Sequence, residues 1–281
     1  MSETSALQLR EIRGPAAFDG DWRRLWHLSW YLAATELRRS YVEDRLGYLW
    51  TILRPLLLFG VLILVLRQVL RFGQRFEHYP QFLLLNIMLF TYFTDATASA
   101  LGSIKAREQM ARKMQFPRFA LPASVVLTST FTTAINMVVA LVLIAVTGVE
   151  PRATWLLLPL LLIPLTLFVT GVILTLSAVY VQLTDIRQAW RLVARSLFYL
   201  TPVIYPIEAV PDSFRNVVAS NPLAPILEQA RIWVIDPDAP TITEAFNGPG
   251  GLLVPIAIAC FLLVGGLWAF NRAAPRLAEL P

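Results

Sequence analysis

Six apolar stretches, at residues 55–66, 82–93, 131–146, 155–181, 197–207 and 251–270, decide what this chain can become. A membrane-crossing helix needs about 20 mostly apolar residues, so the shorter stretches must extend through their polar flanks. With 56% of 281 residues hydrophobic and 15% charged, the chain lies far from the balance of a soluble globular domain. The expected fold is an all-α membrane protein. Six transmembrane helices are expected within residues 46–272, at about 46–70, 79–102, 119–147, 154–182, 190–207 and 251–271.

The basic residues give these helices a direction. Taking both ends and the loops after the second and fourth helices as one side, 18 of the 24 Lys and Arg lie there. The other side holds Arg67, Arg71, Arg75, Arg152, Arg215 and Arg231 beside Glu77, Glu150, Glu208, Asp212, Asp236, Asp238 and Glu244. Lys and Arg accumulate on cytoplasmic loops, so both termini are expected in the cytoplasm. The net charge of +5 is then a topology signal, and no nucleic-acid partner is expected. The polar tail at 1–20 lacks the apolar core of a signal peptide, so the first span is expected to direct insertion. Residues 273–281 form a cytoplasmic tail. The single cysteine, Cys260, reads as a small buried hydrophobe in the last span, and no disulfide framework is possible within one chain.

Residues 21–45 predict an amphipathic interface helix, capped by Asp21. Trp22, Leu25, Trp26, Trp30, Ala33 and Leu37 fall on one broad face, with Arg23, Arg24, Glu36, Arg38 and Arg39 mostly elsewhere. Such a helix suits the lipid headgroup layer; the plainer alternative is a helix packed on the protein's own cytoplasmic surface. Arg54 lies about two turns into the first span, within snorkelling reach of the interface. Asp95 is the only acid well inside an apolar stretch, a functional candidate by position or else a packing partner for a nearby Arg or hydroxyl. Asn136 reads as an interhelical hydrogen-bonder.

Two regions depart from plain spans. Residues 104–118, IKAREQMARKMQFPR, form the longest basic loop between spans and predict a short helix stopped by Pro117. The fifth span carries Pro202, Pro206 and Pro211, which interrupt the helical ladder. Broken backbone at membrane depth persists only where it is buried in protein or lines a cavity. Beyond it, residues 212–235 are too short and too charged to cross, and predict a re-entrant or gate segment on the outer side.

Several chemistries are missing. Lys105 and Lys113, the only lysines, follow Ile104 and Arg112, so the Gly-Lys-Ser/Thr end of a phosphate-binding loop does not occur. His27, His78 and one cysteine make a His/Cys metal site improbable, and no Ser-His-carboxylate arrangement has a plausible base. No catalytic residue, metal or chain-bound cofactor is expected. Ion-coupled carriers gather ionisable groups at the midplane. Here Asp95 is nearly alone, which favours energy from a partner.

Four segments resemble the permease subunits of ABC-2 type transporters, in the branch that exports lipid-linked polysaccharides such as O-antigen, teichoic acid and galactan. They are ELRRSYVEDRLGYLWTILRPLL, with Leu46, Gly47, Trp50 and Pro55; KMQFPRFALPASVV, with Phe116, Pro117, Arg118 and Pro122; VQLTDIRQAW and FYLTPVIYPI, with Asp185, Ile186, Thr201, Pro202, Ile204 and Tyr205; and NPLAPILEQAR, with Asn221, Pro222 and Arg231. Thr184 stands where the family often has an Arg before Asp-Ile.

The resemblance implies a multi-pass permease of the bacterial inner membrane, homodimeric, surrounded by membrane lipids and driven by separate ATPase subunits that hold ATP and Mg. Lys105, Arg107, Glu108, Arg112 and Lys113 suit a helix seated in a cytoplasmic partner, with Asp185 and Arg187 as a smaller contact; a solvated basic loop near anionic lipid is the alternative. For the path, Phe198, Tyr199, Pro202 and Tyr205 are candidates, because aromatic faces stack on sugar rings and Tyr hydroxyls hydrogen-bond. The same aromatics would serve equally in an interfacial belt. Asn221, Pro222 and Arg231 are candidates for an external gate. Alternative cargoes are a small hydrophobic drug or a lipid, and the other class of function is a membrane-embedded enzyme or partner-free carrier.

Overall fold

The computed structural model describes residues 22–39, 47–71, 76–113, 118–183, 185–246 and 248–273, and these residues contain helices and turns but no strand. Among the described residues, five helices are long and apolar enough to cross a membrane: Leu49–Val69, Tyr79–Gly102, Ala120–Val146, Ala153–Tyr180 and Gly250–Ala273. Asp21, Leu46, Phe116, Pro117 and Thr184 lie outside the described residues, as do the two tails.

Helix α1 (Trp22–Arg38) buries Leu25, Ser29 and Ala33, a ridge at four-residue spacing that packs on α4 (Ala120–Val146). The expected apolar face therefore divides. Its small residues meet α4, while Trp22, Trp26 and Trp30 remain 67%, 50% and 59% exposed. Ser29 is compatible with this ridge because its hydroxyl donates to the Leu25 carbonyl. Helix α2 (Gly47–Ile63) contains Pro55 and runs into a π-helical stretch, Leu64–Val69. It leaves Leu57, Val61 and Leu64 exposed. Asn136 of α4 donates to the Thr51 carbonyl of α2 at 3.4 Å, the interhelical role its polarity suggests.

Helix α3 (Tyr79–Lys113) is central and unbroken over 35 residues. The basic segment expected as a separate short helix continues the second span instead. Tyr92 ties the bundle together: its hydroxyl is shared with Thr130 of α4 at 2.8 Å and with Thr166 of α5 (Leu158–Tyr180) at 3.1 Å. Pro159 lies in the first turn of α5, where a missing N–H costs little, and Pro164 is tolerated inside it.

The expected fifth crossing differs most. Helix α6 (Ile186–Leu200) has 15 residues and stops before the first of the three prolines. Two short helices follow, α7 (Asp212–Ala219) and α8 (Leu223–Val234), then a single turn, α9 (Ile242–Ala245). Helix α10 (Leu253–Ala273) packs closely along α5. A Cβ on Gly171 would lie 2.7 Å from the backbone nitrogen of Leu263, and one on Gly266 would lie 2.7 Å from the Gly171 carbonyl oxygen. Backbone meets backbone there, as small residues permit between membrane helices. Cys260 is exposed on α10, not buried as its apolar setting suggested.

Candidate functional site

Residues 79, 86, 90, 93 and 97 of α3 recur at spacings of three, four and seven, so they share one face. That face holds α6 and the chain beyond it, running antiparallel. At one end Trp190 donates its indole N–H to the Thr97 hydroxyl at 2.9 Å and meets Phe93 edge-on. Higher up, Phe198 meets Phe90 edge-on at 5.4 Å. Then the helix ends. Proline disfavours a helical residue before it and lacks an N–H itself; accordingly Thr201 is extended at φ −96° and ψ 145° and fully buried.

Three of the freed backbone groups find side-chain partners. Asn86 donates to the Pro202 carbonyl at 3.1 Å, and the Tyr79 hydroxyl donates to the Ile204 carbonyl at 2.6 Å. The Ile207 N–H donates to a Glu228 carboxylate oxygen at 2.9 Å. The break is thus a defined structure supported by α3 on one side and α8 on the other. Sequence reasoning singled out neither Asn86 nor Tyr79. Asn86 carries the available signal, an amide within the apolar run FLLLNIMLF that needs a partner.

The four path candidates separate into two pairs. Phe198 is half-buried and Pro202 buried, so both belong to the packing. Tyr199 is 58% exposed, and Tyr205 donates its hydroxyl to the Tyr199 carbonyl at 3.0 Å. The open side of the break is therefore a tyrosine surface.

The gate candidates are joined to this break. Asn221 donates to the Thr201 hydroxyl at 2.7 Å while its side-chain oxygen accepts the Leu223 N–H at 3.0 Å, linking the break to the start of α8 just after Pro222. Arg231 forms a two-pronged pair with Glu208 at 2.9 and 2.7 Å, reaches Glu228 at 3.3 Å, and lies 5.4 Å above the Phe82 ring. Asp236 completes the acidic surround at 3.8 Å. Burial pushes the Glu228 carboxyl up to about 7, against the opposing pull of Arg231 and the Ile207 N–H. Burial by itself disfavours the Arg231 charge, but its acidic partners outweigh that and raise its pKa. Sequence reasoning left Glu208 and Glu228 off the site, since the contacts of Glu208 with Arg231 and of Glu228 with the Ile207 N–H both span the break.

The α3 backbone is helical through Lys105, Arg107, Glu108, Arg112 and Lys113, whose side chains lie outside what is described. Asp185 and Arg187 are exposed at the start of α6. Because Trp190 contacts Thr97, the antiparallel pairing brings that start to the same end of the molecule as the basic end of α3. Among the described residues no cluster of His, Cys, Asp and Glu has metal-binding geometry.

Residues 27–234 match the model of the ABC-2 type transporter family. The chain belongs to that family. The matched region of this ABC-2 type transporter chain contains the α3 face, the break and α8, and ends before α10. An O-antigen export system permease protein RfbA of Klebsiella pneumoniae is 27% identical over 246 residues, covering 87% of this chain and 91% of the relative. The RfbA of Myxococcus xanthus is 28% identical over 198 residues, covering 70% and 75%. The polysialic acid transport protein KpsM of Escherichia coli is 24% identical over 198 residues, covering 70% and 76%.

Proposed function

We propose that this chain is the permease of an ABC exporter that carries a lipid-linked polysaccharide across the bacterial inner membrane. Two copies form the passage, and separate ATPase subunits holding ATP and Mg dock at the end where α3 and α6 begin their pairing. Both termini face the cytoplasm, and α6 with its extension to Ile207 supplies the sixth crossing. Relatives named for O-antigen export and polysialic acid transport support the cargo class. The observation that carries the reading is the break itself. Irregular backbone lies beside the crossing helix α3, its Pro202 and Ile204 carbonyls held by Asn86 and Tyr79, with Tyr199 and Tyr205 on the open side, a surface suited to successive sugar rings. Asn221 and the Arg231 cluster close its outer end, and the basic end of α3 receives the stroke of the ATPase.

The test is genetic and biochemical. Deleting the gene should remove polysaccharide from the cell surface and leave it inside on its lipid carrier, and the intact chain should restore export. Glu at positions 105, 107, 112 and 113 should leave the permease in the membrane yet abolish ATPase co-purification and export. Normal surface polysaccharide in the deletion strain would exclude this cargo. Full ATPase binding by the reversed chain would exclude the coupling assignment.

A further inference from the structure

Helix α6 carries a surface that its packing does not use. At about 100° per residue, Ile186, Trp190, Ala194 and Leu197 form the packed face, and Arg187, Arg191 and Arg195 form a stripe beside it. All three arginines are exposed, and none pairs with an acid among the described residues. Beside the stripe, about 60° round from Arg195, Leu192 is exposed, while Val193 and Leu200 are exposed on the opposite side of the helix. One helix thus presents an exposed line of cations flanked by an exposed leucine.

Contacts with α3 fix the depth of this surface. Trp190 lies level with Thr97 and Phe198 with Phe90, so Arg191 and Arg195 fall between those levels. Both are inside the crossing stretch Tyr79–Gly102, deeper than the cytoplasmic loop to which their charge assigns them, and Arg195 is within about one helical turn of its middle. A guanidinium so placed is disfavoured unless an anion or water accompanies it, and ionisable groups at such depth mark substrate paths.

We propose that the α6 arginine stripe is a track for the phosphate group of the lipid carrier. The assignment rests on the export reading above. Each guanidinium offers a planar fork matched to phosphate oxygens, and the rise between successive arginines is ~6 Å, so a diphosphate bridges two neighbours as it passes. The hydrocarbon lies against Leu192, beside the stripe. The stripe leads from the start of α6 up to Tyr199 and the break, so the phosphate advances while the first sugars reach the tyrosines. A neutral glycan alone leaves the three charges unanswered.

The test uses the full chain in phosphatidylcholine nanodiscs, with undecaprenyl diphosphate, undecaprenol and inorganic diphosphate as probes and affinity read by native mass spectrometry. The intact chain should bind undecaprenyl diphosphate about tenfold or more tighter than undecaprenol. The Arg191→Gln/Arg195→Gln double variant should lose that margin and bind undecaprenol as before, while Arg191→Lys/Arg195→Lys should keep most of it. Monodisperse elution of both variants separates lost binding from lost folding. Unchanged diphosphate binding by the Gln variant overturns the track. So does inorganic diphosphate binding as tightly as the lipid, or loss of the dimer by the Gln variant with lipid affinity intact, which would assign the stripe to the second copy. If deletion of the gene abolishes export yet the Gln variant exports and binds normally, the track alone falls. Export that survives deletion removes the reading beneath it.

Discussion

Arg231 is the residue on which the outer end of the break depends. It is largely buried among Glu208, Glu228 and Asp236, and removing one partner of a buried charge pair costs about 3–5 kcal/mol. Arg231→Met should therefore lower the thermal midpoint of the detergent-purified permease much more than Glu208→Gln, which keeps a hydrogen-bond acceptor. Glu228 adds a pH dependence of defined sign. Its folded carboxyl lies at about 7 against an ordinary 4.5, so folding favours the protonated form. Its contribution is complete below 4.5 and is lost as pH rises through 7. Melting temperatures between pH 5.5 and 8.5 should fall across that window in the intact chain, and Glu228→Gln should flatten the curve; an unchanged slope would refute the assignment. Arg231 is legible from sequence as a basic residue on the outer side. Glu228 is not, because its burial and its bond to Ile207 arise from a segment 21 residues away.

At the scale of elements, α3 governs the rest through side chains that answer the broken backbone. Asn86→Leu leaves the Pro202 carbonyl without its donor, at a cost of about 1–3 kcal/mol. It should reduce export while membrane insertion, followed by fractionation and immunoblot, stays normal. Gly171 tests a different contact. Any side chain there meets the backbone of Leu262 and Leu263, so Gly171→Leu should separate α5 from α10 and yield aggregated protein on size exclusion. The crossing helices themselves are legible in the apolar runs, and the break in its prolines. The continuity of α3 is not. The shift near Gly102 from apolar to charged residues changes what surrounds a helix and leaves its hydrogen-bond ladder intact, so polarity falsely signalled an end. At α6 the prolines signal the break, and what the apolar run overstates is the length of the helix, which ends at Leu200 before Pro202.

The whole molecule shows two kinds of exposed surface at membrane depth. On α10, Phe261, Val264 and Trp268 face outward, as lipid contact requires. On α3, Asp95 and Ser99 are exposed, and Arg54 of α2 lies near enough to interact with Asp95; polar groups of this kind belong to a bundle interior or a water-filled cavity. In a Cys260→Ser background, a membrane-impermeant thiol reagent should label Ser99→Cys in the assembled transporter and leave Phe261→Cys unmodified. Equal labelling at both positions would argue against a passage beside α3. The span of α3 adds a mechanical consequence. From Lys113 to Asn86 is ~40 Å along the axis, so a tilt of about 5° pivoting at the basic end sweeps Asn86 through ~3.5 Å. The bond it holds to Pro202 is 3.1 Å long. In a helix this long, a rotation of a few degrees about its basic end therefore displaces Asn86 by more than the length of the bond that holds the break.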